Sequence, residues 1–214
     1  MKRSSSSNLA RSAGGRVLTE RSVSRDPFVQ FNAWFKTVLR SKTLQPYAMT
    51  LATATANGKP TARIVLLKGV DDRGLTFFTN YESVKGKQLS ENPFAALLFY
   101  WPQLKRQIRI EGTVERLSHR ESVEYFSTRP RKSRIGAWAS QQSEVIGGRA
   151  VLETRFRKFQ GQFRNNDIPL PDFWGGYRLL PTKFEFWQNR PNRLHDRIAY
   201  VLRNGLWKII RLSP

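Results

Sequence analysis

The chain has 214 residues, with 37 Lys and Arg against 16 Asp and Glu, a formal net charge of +21. Hydrophobic residues at 39% and aromatics at 12% supply a core and exclude global disorder, while the lack of cysteine excludes disulfides, thiolate catalysis and zinc–sulfur sites. No apolar run approaches the ~20 residues that span a bilayer, and the charge favours phosphorylated or polyanionic partners without specifying a fold.

Residues 1–25 hold six basic residues, one acid (Glu20) and seven serines. This composition predicts a flexible basic leader. Gly14-Gly15 interrupts any amphipathic helix of the transit-peptide kind. The remaining chain still carries 31 basic residues against 15 acidic ones, so the excess is not confined to the leader. Residues 26–214 are expected to form a single domain.

Asp26-Pro27 is a helix start, an N-cap followed by a proline suited to the first turn. Phe28, Phe31, Trp34, Phe35, Val38 and Leu39 recur at helical spacing and predict one buried face. Strands follow. Residues 47–55 alternate small and β-branched side chains, Asn57-Gly58 is a hairpin turn, and residues 61–68 return. A turn at Asp71–Gly74 leads into LTFFTN (75–80). Ser83 opens a short helix before strands at 94–101 and 106–117. About six closely spaced strands suggest a barrel.

Ser118 and Glu121 form a capping box opening a helix to about Thr128, which Pro130 closes. IGAWAS predicts another short helix. Residues 148–164 predict a longer one with Val151, Leu152, Phe156, Phe159 and Phe163 inward. The proline-rich loop IPLPDFWGG then leads to KFEFWQ (183–188), the stretch RPNRLHDR (190–197), and a terminal hairpin turning at Asn204-Gly205. The fold class expected is mainly β with flanking helices (α+β).

Several stretches set cations beside hydroxyls, as phosphate recognition requires. Ser83 caps a helix whose first turn holds Lys85, so free amides, helix dipole and ammonium converge. Tyr125 and Arg129 lie four apart on one helix face, with Ser133 following, a plausible phosphate claw. Arg63 and Lys68 are five apart in one strand and point to opposite faces unless a bulge joins them. In RPNRLHDR, an extended chain places Arg193, His195 and Arg197 on one face and Leu194, Asp196 and Ile198 on the other. His119, inside the capping box, reads as surface. No Gly-rich dinucleotide or Walker loop is present, and no cluster has metal-ligand spacing, so no metal is expected.

Taken together, DPFVQFNAWF, RIVLLK, FFTNYESVKGKQ, RQIRIEG, YFSTRPRKSRIGAWASQQS, PDFWGGYRL, EFWQ and RLHDR occur in the order found in the pyridoxamine 5′-phosphate oxidase family, which residues 26–214 resemble. The resemblance implies a split β-barrel, a homodimer, and FMN bound in clefts at the subunit interface. The implied reaction oxidises pyridoxine or pyridoxamine 5′-phosphate to pyridoxal 5′-phosphate, with O2 as acceptor and H2O2 as product. By matching motif, the FMN residues would be Arg63, Ile64, Val65, Leu66, Leu67, Lys68, Phe78, Thr79, Lys85, Gln107, Gln142, Ser143, Trp187 and Arg197. Lys68, Tyr125, Arg129 and Ser133 would hold the substrate phosphate. Arg193 and His195 would face the pyridine ring and its reacting substituent as the catalytic pair. Asp196 would pair structurally. A cytoplasmic enzyme with neither membrane nor nucleic acid as partner is expected.

Two departures stand out. Where the family usually reads Ser-Arg-Lys, this chain has Ser83-Val84-Lys85, which removes a guanidinium and predicts weaker FMN retention. The leader also lacks the Arg-x-x-Tyr pattern that family members often place over the substrate cleft. The rival readings are a nucleic-acid-binding basic barrel, which explains the charge but not the ordered blocks, and a split-barrel flavoprotein acting on another substrate.

Overall fold

In the computed structural model, residues 17–214 are described; residues 1–16, most of the expected leader, lie outside the described residues. The first helix, α1 (Pro27–Arg40), begins as its cap predicts: the Asp26 carboxylate accepts from the amides of Phe28 and Val29. Phe31, Trp34 and Val38 are buried, but Leu39 is 45% exposed, because the helix presents only a narrow stripe inward. Strands β1 (Ala48–Ala54), β2 (Pro60–Leu66), β3 (Gly69–Val70) and β4 (Leu75–Asn80) follow, then helix α2 (Val84–Glu91). Next come β5 (Phe94–Trp101), β6 (Arg106–Arg116), helices α3 (His119–Thr128), α4 (Arg131–Ala139) and α5 (Arg149–Gln162), and strands β7 (Trp174–Gln188), β8 (Asp196–Arg203) and β9 (Leu206–Arg211). The strands join in the order β2-β1-β5-β6-β7-β4-β3, with β8 on β7 and β9 on β8. The fold is therefore mainly β with flanking helices.

The chain divides into two compact units, and β5, β6 and β7 contribute to both. One unit holds residues up to 46, 97–111 and 182–214. Its core is aromatic: Phe31 meets Phe99 edge-on at 5.3 Å, Trp34 meets Phe186 at 5.3 Å, and Phe186 meets Tyr200 at 5.6 Å. Edge-to-face contacts of this kind align the positive ring edge with the negative ring face. Residues 17–25 of the expected leader make defined contacts in this unit: Leu18 is buried, and the Tyr200 hydroxyl donates to the Ser24 carbonyl at 2.7 Å.

The other unit holds residues 47–96 and 112–181. In it β1 and β2 form an antiparallel hairpin, with Leu51 opposite Arg63 and Thr53 opposite Thr61. The turn uses Gly58 at φ +82°, a conformation that favours glycine. β4 pairs with the first part of β7, from Leu75 opposite Leu179 to Asn80 opposite Trp174. At Gly86, a Cβ would meet the Tyr81 carbonyl oxygen at 2.1 Å, so only glycine lets α2 lie this close to the chain entering it.

Three local expectations are corrected. β7 begins at Trp174, inside the stretch read as a loop, and runs through Pro181. The Gly175-Gly176 pair that suggests a loop is needed there because Tyr81 and Leu117 press against that backbone. α5 is buried less than expected: Leu152 is 37% exposed, Val151, Phe156 and Phe159 are only partly buried, and Phe163 at its C-cap is buried; Phe156, Phe159 and Phe163 do face inward, in the cluster with Phe126, Ile135 and Trp174, and α4 packs against the helix. The stretch 190–197 is not one extended strand. Pro191–Arg193 form a 3-10 turn, with Asn192 at φ +57° and Arg193 at φ +61°, and the strand starts only at Asp196.

Candidate active site

A cavity of about 940 Å³ opens in the second unit, between β2, β4, the start of α2, and α3–α4. Arg63, Lys68, Lys85 and Arg129 line it, and its lining among the described residues includes no Asp or Glu. Cations gathered without carboxylates repel one another, and an anion relieves that repulsion.

Lys85 lies 8% exposed one position inside α2, whose cap is Ser83. Its ammonium donates to Gln142 Oε1 at 2.7 Å and to Thr79 Oγ1 and Ser83 Oγ at 3.2 Å each, all neutral acceptors. Burial, with the nearby Arg63 charge adding, brings its pKa down to about 8. Arg63 is held on the hairpin by Thr53 Oγ1 at 2.6 Å and the Leu51 carbonyl at 3.2 Å. Thr53 and Thr61 donate in turn to Gln88 Oε1 of α2, at 2.5 and 2.8 Å, so hairpin and helix are laced together. Burial also lowers the Arg63 pKa. The open alternative for Arg63 and Lys68 is settled: both line one cavity. β2 ends at Leu66, Leu67 turns inward, and the Lys68 amide donates to Thr76 instead of continuing the hairpin.

The other end of the cavity is aromatic. Phe78 and Tyr125 stack at 3.8 Å, and Trp174 lies parallel to both rings. The Arg129 guanidinium sits 4.6 Å from the Trp174 ring centroid, and Lys68 Nζ lies 5.8 Å from that of Tyr125. Arg129 Nη1 is buried and has no hydrogen-bond partner among the described residues. Burial lowers the Arg129 pKa. A desolvated guanidinium with an unmet donor, facing a cavity free of carboxylates, fits a bound phosphate. Ser133 completes this end, and Ser143 Oγ accepts from the Val84 amide at 3.4 Å at the other. Val84, where the family pattern has arginine, lines the cavity at 48% exposure.

Of the residues singled out by sequence, Arg63, Ile64, Val65, Leu66, Lys68, Phe78, Thr79, Lys85, Tyr125, Arg129, Ser133, Gln142 and Ser143 line this cavity. Leu67 does not; it is buried. Gln107, Trp187, Arg193, His195 and Arg197 belong to the first unit. There Trp187 is opposite Arg197 across β7 and β8, and the His195 ring lies 4.7 Å from the Trp187 ring. His195 Nδ1 accepts from the Arg190 amide at 3.1 Å. Arg197 donates to Glu185 at 2.7 Å and to the Ser213 carbonyl at 2.8 Å, and the Glu185 bond raises its pKa. Alternation holds for His195 and Arg197 against buried Asp196 and Ile198; Arg193 is exposed in the turn, outside that strand. Sequence reasoning missed Trp174 and Asn80, which also line the cavity. Their signal was the facing register of β4 and β7, which no local pattern reveals.

A curled antiparallel sheet carries a cationic, aromatic-walled cavity of the kind that suits a phosphorylated, ring-bearing ligand. Comparison with known proteins makes this specific. The family model described as pyridoxamine 5′-phosphate oxidase matches residues 35–163, and that of the pyridoxine 5′-phosphate oxidase C-terminal dimerisation region matches residues 174–214. The chain is 53% identical over 208 residues to the pyridoxine/pyridoxamine 5′-phosphate oxidase of Cyanothece sp., covering 97% of this chain and 98% of that one. It is 59% identical over 199 residues to the enzyme of the same description from Cupriavidus taiwanensis, covering 92% and 93%. Among solved structures it is similar to PhzG from Burkholderia lata, crystallised with tetrahydrophenazine-1-carboxylic acid. The TM-score is 0.87 at 30% identity, over 92% of this chain and 98% of that one. The chain belongs to the pyridoxamine 5′-phosphate oxidase family, and its fold is the split barrel of that family.

Proposed function

We propose that this protein is an FMN-dependent oxidase converting pyridoxine 5′-phosphate or pyridoxamine 5′-phosphate to pyridoxal 5′-phosphate. The alcohol substrate and O2 yield aldehyde and H2O2; the amine substrate, O2 and water yield aldehyde, H2O2 and ammonia. One observation carries the reading. Family-motif residues scattered from Arg63 to Ser143 converge on a single cavity whose four cations face no carboxylate among the described residues.

Arg63 and Lys85, with the amides opening α2, hold the FMN phosphate, and Gln142 and Thr79 orient Lys85. Lys68, Tyr125, Arg129 and Ser133 hold the substrate phosphate, so that the substrate is anchored by its unreactive end. Bound FMN supplies a two-electron acceptor that O2 regenerates. The chain's own task would be to orient the pyridine ring, exclude water and place donors where charge develops.

Arg193, His195, Trp187 and Arg197 reach the site from a second copy of the chain. They lie in the segment matched by the dimerisation-region model, and Ile64, Leu66 and Phe94 of the cavity-bearing unit are large apolar side chains left 63%, 42% and 68% exposed. Such exposure suits a surface covered on dimerisation. Arg193 and His195 orient the substrate, and His195, with Nδ1 occupied as an acceptor, presents a protonated Nε2 when neutral. Residues 26–214 form the catalytic domain, in the cytoplasm. Among the described residues no helix is long and apolar enough to cross a membrane.

Purified protein should be yellow, contain about one FMN per chain, and release H2O2 on addition of pyridoxine 5′-phosphate. Colourless protein that takes up no FMN, yet binds oligonucleotide with steep salt dependence, overturns the assignment.

A further inference from the structure

The turn that carries Arg193 and His195 is closed by a buried network that the reaction itself does not explain. Asp196 is 8% exposed and accepts three donors. Arg190 Nε donates at 2.6 Å, the Leu18 amide at 3.1 Å and Arg211 Nη1 at 3.4 Å. Burial pulls the Asp196 pKa up, but these donors, Arg190 first, outweigh it and hold the carboxyl below its usual range. The same Arg190 gives its amide to His195 Nδ1 at 3.1 Å. Arg211 also donates to the Leu18 carbonyl at 2.7 Å and to Glu20 at 3.1 Å, clamping the segment before α1 against β9.

We propose that Asp196 is the positioning residue for His195. It holds Arg190, whose main-chain N–H selects the imidazole tautomer, and the segment Leu18–Glu20 holds Asp196.

The Arg190–Asp196 pair joins the two ends of a turn in which Asn192 and Arg193 both adopt left-handed φ without being glycine. Such residues persist only where their surroundings over-determine them. Here those surroundings include an ion pair and its supports. Without it the turn is free to relax, the Arg190 amide leaves Nδ1, and the ring, confined on one side by Trp187, can rotate or change tautomer. A carboxylate paired only for stability would leave the imidazole indifferent to its loss. The geometry ties the two together because the residue that bonds Asp196 through its side chain bonds His195 through its backbone.

The inference rests on the proposed function only in that His195 meets the substrate, and the test separates the two. The chain has two histidines, so His119→Gln leaves His195 as the single imidazole for nitrogen NMR. In the FMN-loaded protein, the neutral form of His195 should show an unprotonated Nδ1 and a protonated Nε2. Asp196→Asn should move both signals toward tautomer averaging and lower kcat about 10-fold or more, with FMN content and the KM of the phosphorylated substrate within about 2-fold. Leu18→Pro, which removes one of the three donors, should do the same more weakly. Unchanged His195 nitrogen shifts in Asp196→Asn overturn the proposal. Shifted signals with unchanged kcat support it and instead overturn the placement of His195 at the substrate. If Asp196→Asn does not fold, Arg190→Gln removes the same ion pair while keeping the amide, and the same shifts decide.

Discussion

Two sets of cations, one in each unit, live under opposite rules. In the first unit one set is paired: Arg190 with Asp196, Arg197 and Arg109 with Glu185, Arg211 with Glu20 and Asp196. In the cavity of the second unit, Arg63 donates to Thr53 and the Leu51 carbonyl, Lys85 donates to Gln142, Thr79 and Ser83, all neutral, and Arg129 keeps a donor unmet. A paired cation has already offset its desolvation and serves the fold; an unpaired one keeps its interaction energy for an incoming anion. The contrast separates charge already spent on carboxylates from charge left free for the phosphates of the proposed ligands. It also accounts for part of the +21 that the sequence carries.

The largest test of that contrast is Arg129→Leu. Removing one member of a buried charged hydrogen-bond pair costs about 2–5 kcal/mol, so kcat/KM for the phosphorylated substrate should fall roughly 100-fold or more. FMN content should be unchanged; loss of flavin would place Arg129 at the wrong phosphate. Lys85→Met should raise the Kd for FMN by about 30-fold, read by quenching of flavin fluorescence. The pH dependence has a definite sign. Lys85 in the free protein loses its proton near pH 8, and the bound dianion favours the charged form, so affinity is full below about 8 and falls as pH rises above it. In Lys85→Met that slope should vanish.

Glu185→Gln probes the other side of the comparison. Glu185 is 3% exposed and serves both Arg109 and Arg197. Its neutralisation should lower unfolding free energy by about 2 kcal/mol, less than for a fully buried pair because both guanidinium groups are partly exposed. Urea unfolding measures this, and an unchanged midpoint would remove these pairs from the structural class. The smallest effect belongs to Val84→Arg, which restores the family's guanidinium at a half-exposed position. FMN should bind about 5-fold tighter, an effect that shrinks with added salt.

Where a signal was local, the sequence carried it to the residue. Asp26, Ser83 and Ser118 cap the helices they announce, because capping joins a side chain to amides two or three positions away. The strands at 75–80 and 94–101 and the turn at Gly58 follow from patterns of the same range. Much of the cavity was also legible, though by motif order more than by periodicity: Tyr125 and Arg129 could be joined by helical spacing alone, Arg63 and Lys68 could not.

What tertiary structure decided depends on partners far away in the chain. Gly175-Gly176 read as a loop and became strand because β4 and the Tyr81 ring approach there. Trp174 entered the cavity wall through its register opposite Asn80. Arg63 and Lys68 met on one side because the chain leaves β2 after Leu66. The stretch 190–197 was read as alternating and instead turns sharply, since an ion pair at its ends and the amide of Leu18, 178 positions from Asp196, stabilise a backbone that local preference disfavours. Composition, caps and residue order determined the elements and the chemistry the chain can carry. Only folding decided which cations meet carboxylates and which are left facing an open cavity, because that choice is made by contacts across the sheet and not along the chain.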